Sequence, residues 1–349
     1  LRQLVDRAVL GIVEFPGQRD DTGGGDLHAT MIAQGRAAAR PARGVRAAGT
    51  GFGQNRGMDV NAPLALLGGL SPALFMRRHW QKKPLLVRQA WPGVMPPLPR
   101  REMFALAGSE DVESRLVVHA DGRWRVRNGP LPRSALPPVS RPGWTLLVQG
   151  LDLHLAAARA MLERFRFVPD ARLDDLMLSW ASPGGGVGPH IDSYDVFLLQ
   201  VHGRRRWRVG RVTDDAFVEG EPLKLLRHFE PTQDWLLEPG DLLYLPPRWG
   251  HDGVAEGGDC MTCSIGFRAP AANELARDLL QRLADEDLGE GALYRDPLQP
   301  ATAAPGAIPA GLQAFARAAL ARRLADPQAL ARALGESLSE PKPRVWFER

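Results

Sequence analysis

Cysteine is almost missing from this chain, with only Cys260 and Cys263 among 349 residues. So few exclude a disulfide framework and fit a reducing compartment. Long apolar runs are missing too: none approaches the roughly 18 residues that cross a bilayer, and no basic, apolar and small-residue succession marks a signal peptide. The expectation is a cytoplasmic protein with no membrane partner. Strong net charge is also lacking, since 44 Lys and Arg against 40 Asp and Glu leave a formal +4. That balance with its local arginine clusters tolerates a ribonucleoprotein neighbourhood without demanding one, and direct nucleic-acid binding is not expected.

What is present suits a globular protein: 44% of residues are apolar, 24% are charged, and the length allows one large domain or two. Residues 1–57 are rich in Gly, Ala and Arg, show no sustained period, and read as disordered or as sequence upstream of a natural start at Met58. Arg40, Arg43 and Arg46 then carry no function. Ser71 and Pro72 are a helix N-cap and first helical position, Pro84 stops that helix, and Leu85 to Val87 begin a strand. A short helix over 99–107 follows. Asp121-Gly122 between 115–118 and 123–127 signals a hairpin, Trp144 to Gln149 a strand, and 152–166 a helix with Leu155, Ala158 and Leu162 on one face.

From Asp174 to about Phe267 the chain is β-rich, with strand-like runs at 175–180, 194–201, 205–209, 235–237, 242–245 and 260–267. Many short strands at that spacing predict an antiparallel barrel or jelly roll able to hold a metal and a small ligand in its mouth. After Pro270, residues 272–286 and 311–336 are Ala, Leu and Arg rich with helical spacing, joined by a Pro-rich connector at 297–309. Their apolar stripes need a partner, either the barrel or a second copy.

Two stretches carry the chemistry: GPHIDSYDVFLLQVHGRRRWRVG at 188–210 and EPGDLLYLPPRWGHDG at 238–253. In a strand His190 and Asp192 point the same way and can chelate one ion. His251, beyond a Pro-Pro break, offers a third ligand. Two imidazoles and one carboxylate leave positions open in the manner suited to Fe(II) and oxygen chemistry. Alternation places Arg205 with Trp207 and Val209, opposite Arg204, Arg206 and Arg208. An arginine in register with a buried aromatic needs an anion, and the distal carboxylate of a keto acid is the favoured candidate for Arg205, while an RNA-facing or merely solvated basic strand fits the other three arginines better. By the same parity Asp175, Met177 and Ser179 share a face. Ser179 could donate to that carboxylate and Asp175 could pair with a cationic side chain, unless the acidic pair at 174–175 merely starts the strand. The Cys-x-x-Cys spacing lies in a strand, where positions three apart face opposite sides, so neither redox nor zinc chemistry is expected. The run from Gly184 to Gly188 lacks the Lys-Ser/Thr ending of a P-loop and reads as a flexible lip.

These stretches, with LMLSWASPGGGVG before the first and CSIGFRAP after the second, resemble the bacterial ribosomal oxygenases of the Jumonji-C class, which hydroxylate an arginine of large-subunit ribosomal protein L-sixteen. The resemblance implies a double-stranded β-helix over 58–270, a helical dimerisation region over 271–340 and hence a homodimer, and a tail at 341–349 where the family continues into a winged-helix-like domain. It implies Fe(II), 2-oxoglutarate as co-substrate and molecular oxygen. Carried over by motif, His190, Asp192 and His251 would bind iron, Arg205 and Ser179 the 2-oxoglutarate, and Asp175, Tyr194 and Ser264 the substrate arginine. Two other readings stay open: a catalytically silent barrel serving as a ribosome or RNA accessory through Arg204, Arg206 and Arg208, and a metal-barrel enzyme that works without 2-oxoglutarate.

Overall fold

The computed structural model describes residues 58–285 and 291–340, so the expectations for 1–57 and for the tail at 341–349 lie outside the described residues. Ser71 caps helix α1 (Pro72–Arg78), its hydroxyl accepting from the Leu74 amide at 3.2 Å. Strand β1 (Leu85–Val87) and helix α2 (Arg100–Leu106) lead to the hairpin of β2 (Ser114–Ala120) and β3 (Arg123–Asn128). Asp121 and Gly122 turn it with φ of 54° and 69°, the two left-handed residues that match strand twist. After β4 (Trp144–Val148) the structure departs from the single helix expected over 152–166. It forms α3 (Leu151–His154) and α4 (Ala156–Leu162), broken at Leu155, which is extended at φ −135° and ψ 122°. Extension lets Leu155 pack against the core, and helical spacing alone could not show that.

Five more strands complete one antiparallel sheet: β5 (Leu173–Ala181), β6 (Val196–Arg211), β7 (Gln233–Leu237), β8 (Leu242–Leu245) and β9 (Trp249–Phe267). The order is β1-β8-β6-β9-β5-β4-β2-β3, with β7 also on β6. The runs at 194–201 and 205–209 are thus one strand, beginning at 196, and 260–267 is the second half of a strand that begins at Trp249. Each long strand serves two pairings. The first half of β6 meets β8 and the end of β9; its second half meets β7 and the start of β9. The change occurs at register irregularities around His202 and Gly203. Gly203 has φ +60°, and a Cβ there would stand 2.1 Å from the Asp259 carbonyl oxygen, so no other residue fits the bend.

The two faces of this sheet differ in chemistry. Leu116, Leu146, Leu178, Trp180, Cys263 and Ile265 share one face with the aromatic cluster of Phe75, Phe197, Tyr244 and Phe267. The other face carries Arg115, Ser179, Thr262 and Gln200, joined by the register Arg115–Leu147–Ser179–Thr262–Gln200. Directly paired residues share a face, so this row looks into the barrel. Below the start of β6, the fully buried Asp195 accepts from the Tyr244 hydroxyl at 2.6 Å and Gln81 Nε2 at 3.0 Å. That network pins the chain immediately after Tyr194.

Beyond the barrel lie α5 (Ala272–Asp285), α6 (Ala310–Leu324) and α7 (Pro327–Ser339). The helix expected over 311–336 is two, because Pro327 opens a new helix whose cap, Asp326, accepts from the amides of Gln328 and Ala329. The Gly203→Ala variant is expected to lose about 2–4 kcal/mol of stability from left-handed strain and clash. Urea unfolding checks this, and an unchanged midpoint would show that the bend tolerates a side chain.

Candidate functional site

His190 lies just before β6 on an extended segment, not inside a regular strand, and forms an isolated bridge with His251 near the start of β9. The His190 amide donates to the His251 carbonyl at 3.0 Å and the His251 amide returns a bond at 2.9 Å. The two imidazoles consequently face one another, with centroids 4.2 Å apart. Asp192 joins them two residues on. Its carbonyl accepts from the Arg248 amide at 3.0 Å, tying its loop to the turn that leads into His251. One donor atom each from His190, Asp192 and His251 lies within 4.8 Å of the others.

Both imidazoles are held in the same tautomer. His190 Nδ1 donates to the Gly188 carbonyl at 2.9 Å, and His251 Nδ1 donates to the Trp249 carbonyl at 3.0 Å. Each Nε2 is therefore the ring nitrogen turned toward the cluster, the one available to a metal. Burial lowers the His251 pKa to about 4, with the neighbouring His190 adding to the effect and Asp192 opposing it. At neutral pH that ring is uncharged. Two imidazole nitrogens and one carboxylate at this spacing fit a divalent first-row metal with positions to spare.

Arg205 is 3% exposed. Its Nη1 donates to Ser179 Oγ at 3.1 Å and Thr262 Oγ1 at 3.4 Å, and its Nη2 to the Gly253 carbonyl at 3.3 Å, while Nε is buried without a partner. The guanidinium lies 5.1 Å from the Trp207 ring, whose own Nε1 is also buried and unbonded. Gly253 makes room for that ring, since a Cβ there would come within 2.6 Å of it. Among the described residues no carboxylate pairs with Arg205. A buried charge satisfied only by neutral groups is poised for an anion.

Ser179 thus meets Arg205, while Asp175, Tyr194 and Ser264 occupy another part of the same face. Asp175 is 4% exposed and accepts from the Gly150 amide at 2.7 Å, so at least one lone pair serves the fold. Gly266 lies beneath both Asp175 and Tyr194. Burial raises the Tyr194 pKa, as do nearby Asp192, Asp175 and Asp174, against Arg115. Ser264 is 8% exposed and pairs across from Met177. The outward arginines differ from the expectation of a free basic ridge: Arg206 bonds Glu256 and Asp234, and Arg208 bonds Asp252. Cys260 and Cys263 are both buried, belong to different clusters, and have pKa values raised by burial. Sequence reasoning misses Thr262 and Gln200, which donate and accept at 2.9 Å beside Arg205. Their signal is parity with Ser264 on β9 and with Leu198 on β6.

An antiparallel barrel with these groups on its inner face defines the cupin-like class, with a site able to seat one divalent metal and one small anion. Residues 160–275 match the JmjC domain. The chain is 40% identical over 235 residues to the ribosomal protein uL16 3-hydroxylase of Escherichia coli, covering 67% of this chain and 62% of that protein. It is 38% identical to a probable ribosomal oxygenase of Haemophilus influenzae, covering 65% and 55%. The chain thus spans less than two thirds of these curated relatives. The structure of the E. coli ribosomal oxygenase YcfD in complex with cobalt and 2-oxoglutarate superimposes with a TM-score of 0.65 at 37% identity, over 77% of this chain and 70% of that one. The chain belongs to the JmjC-domain family, in the branch that holds this ribosomal oxygenase.

The His251 environment sets a pH dependence for the metal-free chain. Unfolded, the ring takes its proton near pH 6.5; folded, only near 4. Stability is therefore complete above 6.5, falls as pH drops through that window, and levels off below 4. A loss of the order of 2–3 kcal/mol is expected between pH 7.5 and 4, read by urea midpoints. His251→Gln should flatten the slope, and an equal slope in that variant would assign it to other groups.

Proposed function

We propose that the chain is an Fe(II)- and 2-oxoglutarate-dependent protein hydroxylase acting on an arginine of ribosomal protein uL16, and that it works in the cytoplasm. The observation that carries this reading is Arg205, a buried guanidinium with no acidic partner among the described residues, on the inner face of a barrel whose mouth brings together His190, Asp192 and His251. The neutralisation of Arg206 and Arg208 argues against a silent RNA accessory.

His190 Nε2, His251 Nε2 and an Asp192 oxygen hold the iron in this reading. Bound there, iron supplies the oxygen activation that couples decarboxylation of 2-oxoglutarate, yielding succinate and carbon dioxide, to insertion of one oxygen atom into a C–H bond. Arg205, with the Ser179 and Thr262 hydroxyls, grips the distal carboxylate in the geometry guanidinium favours. Trp207 walls the Arg205 side and keeps water from it. Asp175, Tyr194 and Ser264 receive the substrate arginine, Asp175 by charge and Tyr194 by its ring face. The protein's contribution is placement and exclusion of water. Residues 58–270 form the catalytic unit and 271–340 a dimerisation region, the latter supported by exposed Leu280, Leu312, Leu320 and Leu324.

Mass spectrometry of uL16 incubated with the chain, Fe(II), 2-oxoglutarate and oxygen is expected to show one added oxygen on an arginine, absent for His190→Ala. Arg205→Met is expected to raise the KM for 2-oxoglutarate about 100-fold, the scale of losing a buried charge pair. Succinate without uL16 oxidation would discard the substrate, and neither product would discard the reaction. Light scattering should give twice the chain mass, with Leu280→Asp shifting it to one.

A further inference from the structure

Arg115 sits on β2 in the inward row that runs through Leu147 to Ser179 and Thr262. Two strand spacings, about 10 Å, separate its backbone from that of Ser179, and among the described residues no hydrogen bond joins its guanidinium to the cluster of Arg205, Ser179 and Thr262. Its side chain is 15% exposed, and the one acid beside it, Glu113, stays 3.8 Å away and is 42% exposed. The Arg115 Nε is buried without a partner, and among the described residues no hydrogen-bond acceptor meets the guanidinium. Tyr194 lies within reach of its charge and also within that of Asp174, Asp175 and Asp192.

The space around Tyr194 thus holds the carboxylates of Asp175 and Asp192 together with the cation of Arg115. A positively charged side chain entering it is drawn to the acids and repelled by Arg115. Glu113 reaches only one end of the guanidinium, at 3.8 Å, and the buried Nε still wants an acceptor. We propose that Arg115 is a recognition subsite for an oxygen acceptor, a main-chain carbonyl or a side-chain carboxylate, of the polypeptide substrate beside the residue being oxidised. This rests on the reading of the site as a protein hydroxylase. Arg115 is a positioning residue that fixes which way the polypeptide lies, and it takes no part in binding 2-oxoglutarate.

The test measures uL16 affinity for the full chain loaded with Co(II) and 2-oxoglutarate, by fluorescence anisotropy. Arg115→Met is expected to weaken uL16 binding at least tenfold, Arg115→Lys to restore part of it, and both to leave 2-oxoglutarate affinity and the melting temperature within error of wild type. A structural role alone would lower the melt without separating the two affinities. Arg115→Gln replaces the Met variant if that one does not fold. Converting the Asp and Glu residues nearest the oxidised arginine of uL16 to Asn and Gln distinguishes the sources. With a carboxylate partner the Arg115→Met penalty disappears on that uL16, and with a carbonyl partner it persists. Equal uL16 affinity of wild type and variant overturns the subsite alone, as does an equal loss of 2-oxoglutarate affinity. Failure of the wild-type chain to bind uL16 overturns the substrate reading and the subsite with it.

Discussion

The antiparallel pairing of β6 with β9 is the constraint on which the rest depends. One strand brings Gln200, Arg205 and Trp207; the other brings His251, Gly253, Thr262 and Ser264. Their register sets Val209 against His251 and Trp207 against Gly253, so the indole lies over a residue with no side chain. A slip by one residue would turn every inward group outward. The bend at Gly203 lets the same two strands run through both halves of the barrel, so Arg205 from one half meets Thr262 from the other.

Electrostatics follows from that geometry. The barrel interior gathers polar groups in a low-dielectric space, where an unpaired charge is expensive and a paired one is strong. His251 escapes the cost by staying neutral, and both imidazoles are fixed by a carbonyl two residues earlier. Arg205 is eased by Ser179, Thr262 and the Gly253 carbonyl without being neutralised.

Period-two alternation makes much of this legible in the amino-acid sequence. It separates Arg205 from Arg204 and Arg206, puts Ser179 on the inward face, and sets Cys260 and Cys263 on opposite sides. The hairpin at Asp121-Gly122 and the cap at Ser71 are equally plain, because both depend on local chemistry. What stays hidden depends on register. Thr262 and Gln200 look like ordinary strand residues until they are set opposite Ser179 and each other. Glu256, Asp234 and Asp252 neutralise Arg206 and Arg208 from neighbouring strands, and no local pattern announces those pairs. The Pro246-Pro247 break disguises His251 as a loop residue, whereas the strand begins at Trp249. Leu155 and Pro327 break helices whose apolar spacing continues across them, the first through core packing and the second through the missing N–H of proline.

The most direct test is a crystal structure of the chain grown with Co(II) and 2-oxoglutarate under anaerobic conditions. The expected result is one metal bound by His190 Nε2, His251 Nε2 and an Asp192 oxygen, and one dicarboxylate whose distal carboxylate meets Arg205 and Ser179. A metal bound elsewhere, or a co-substrate whose distal carboxylate avoids Arg205, would contradict that assignment.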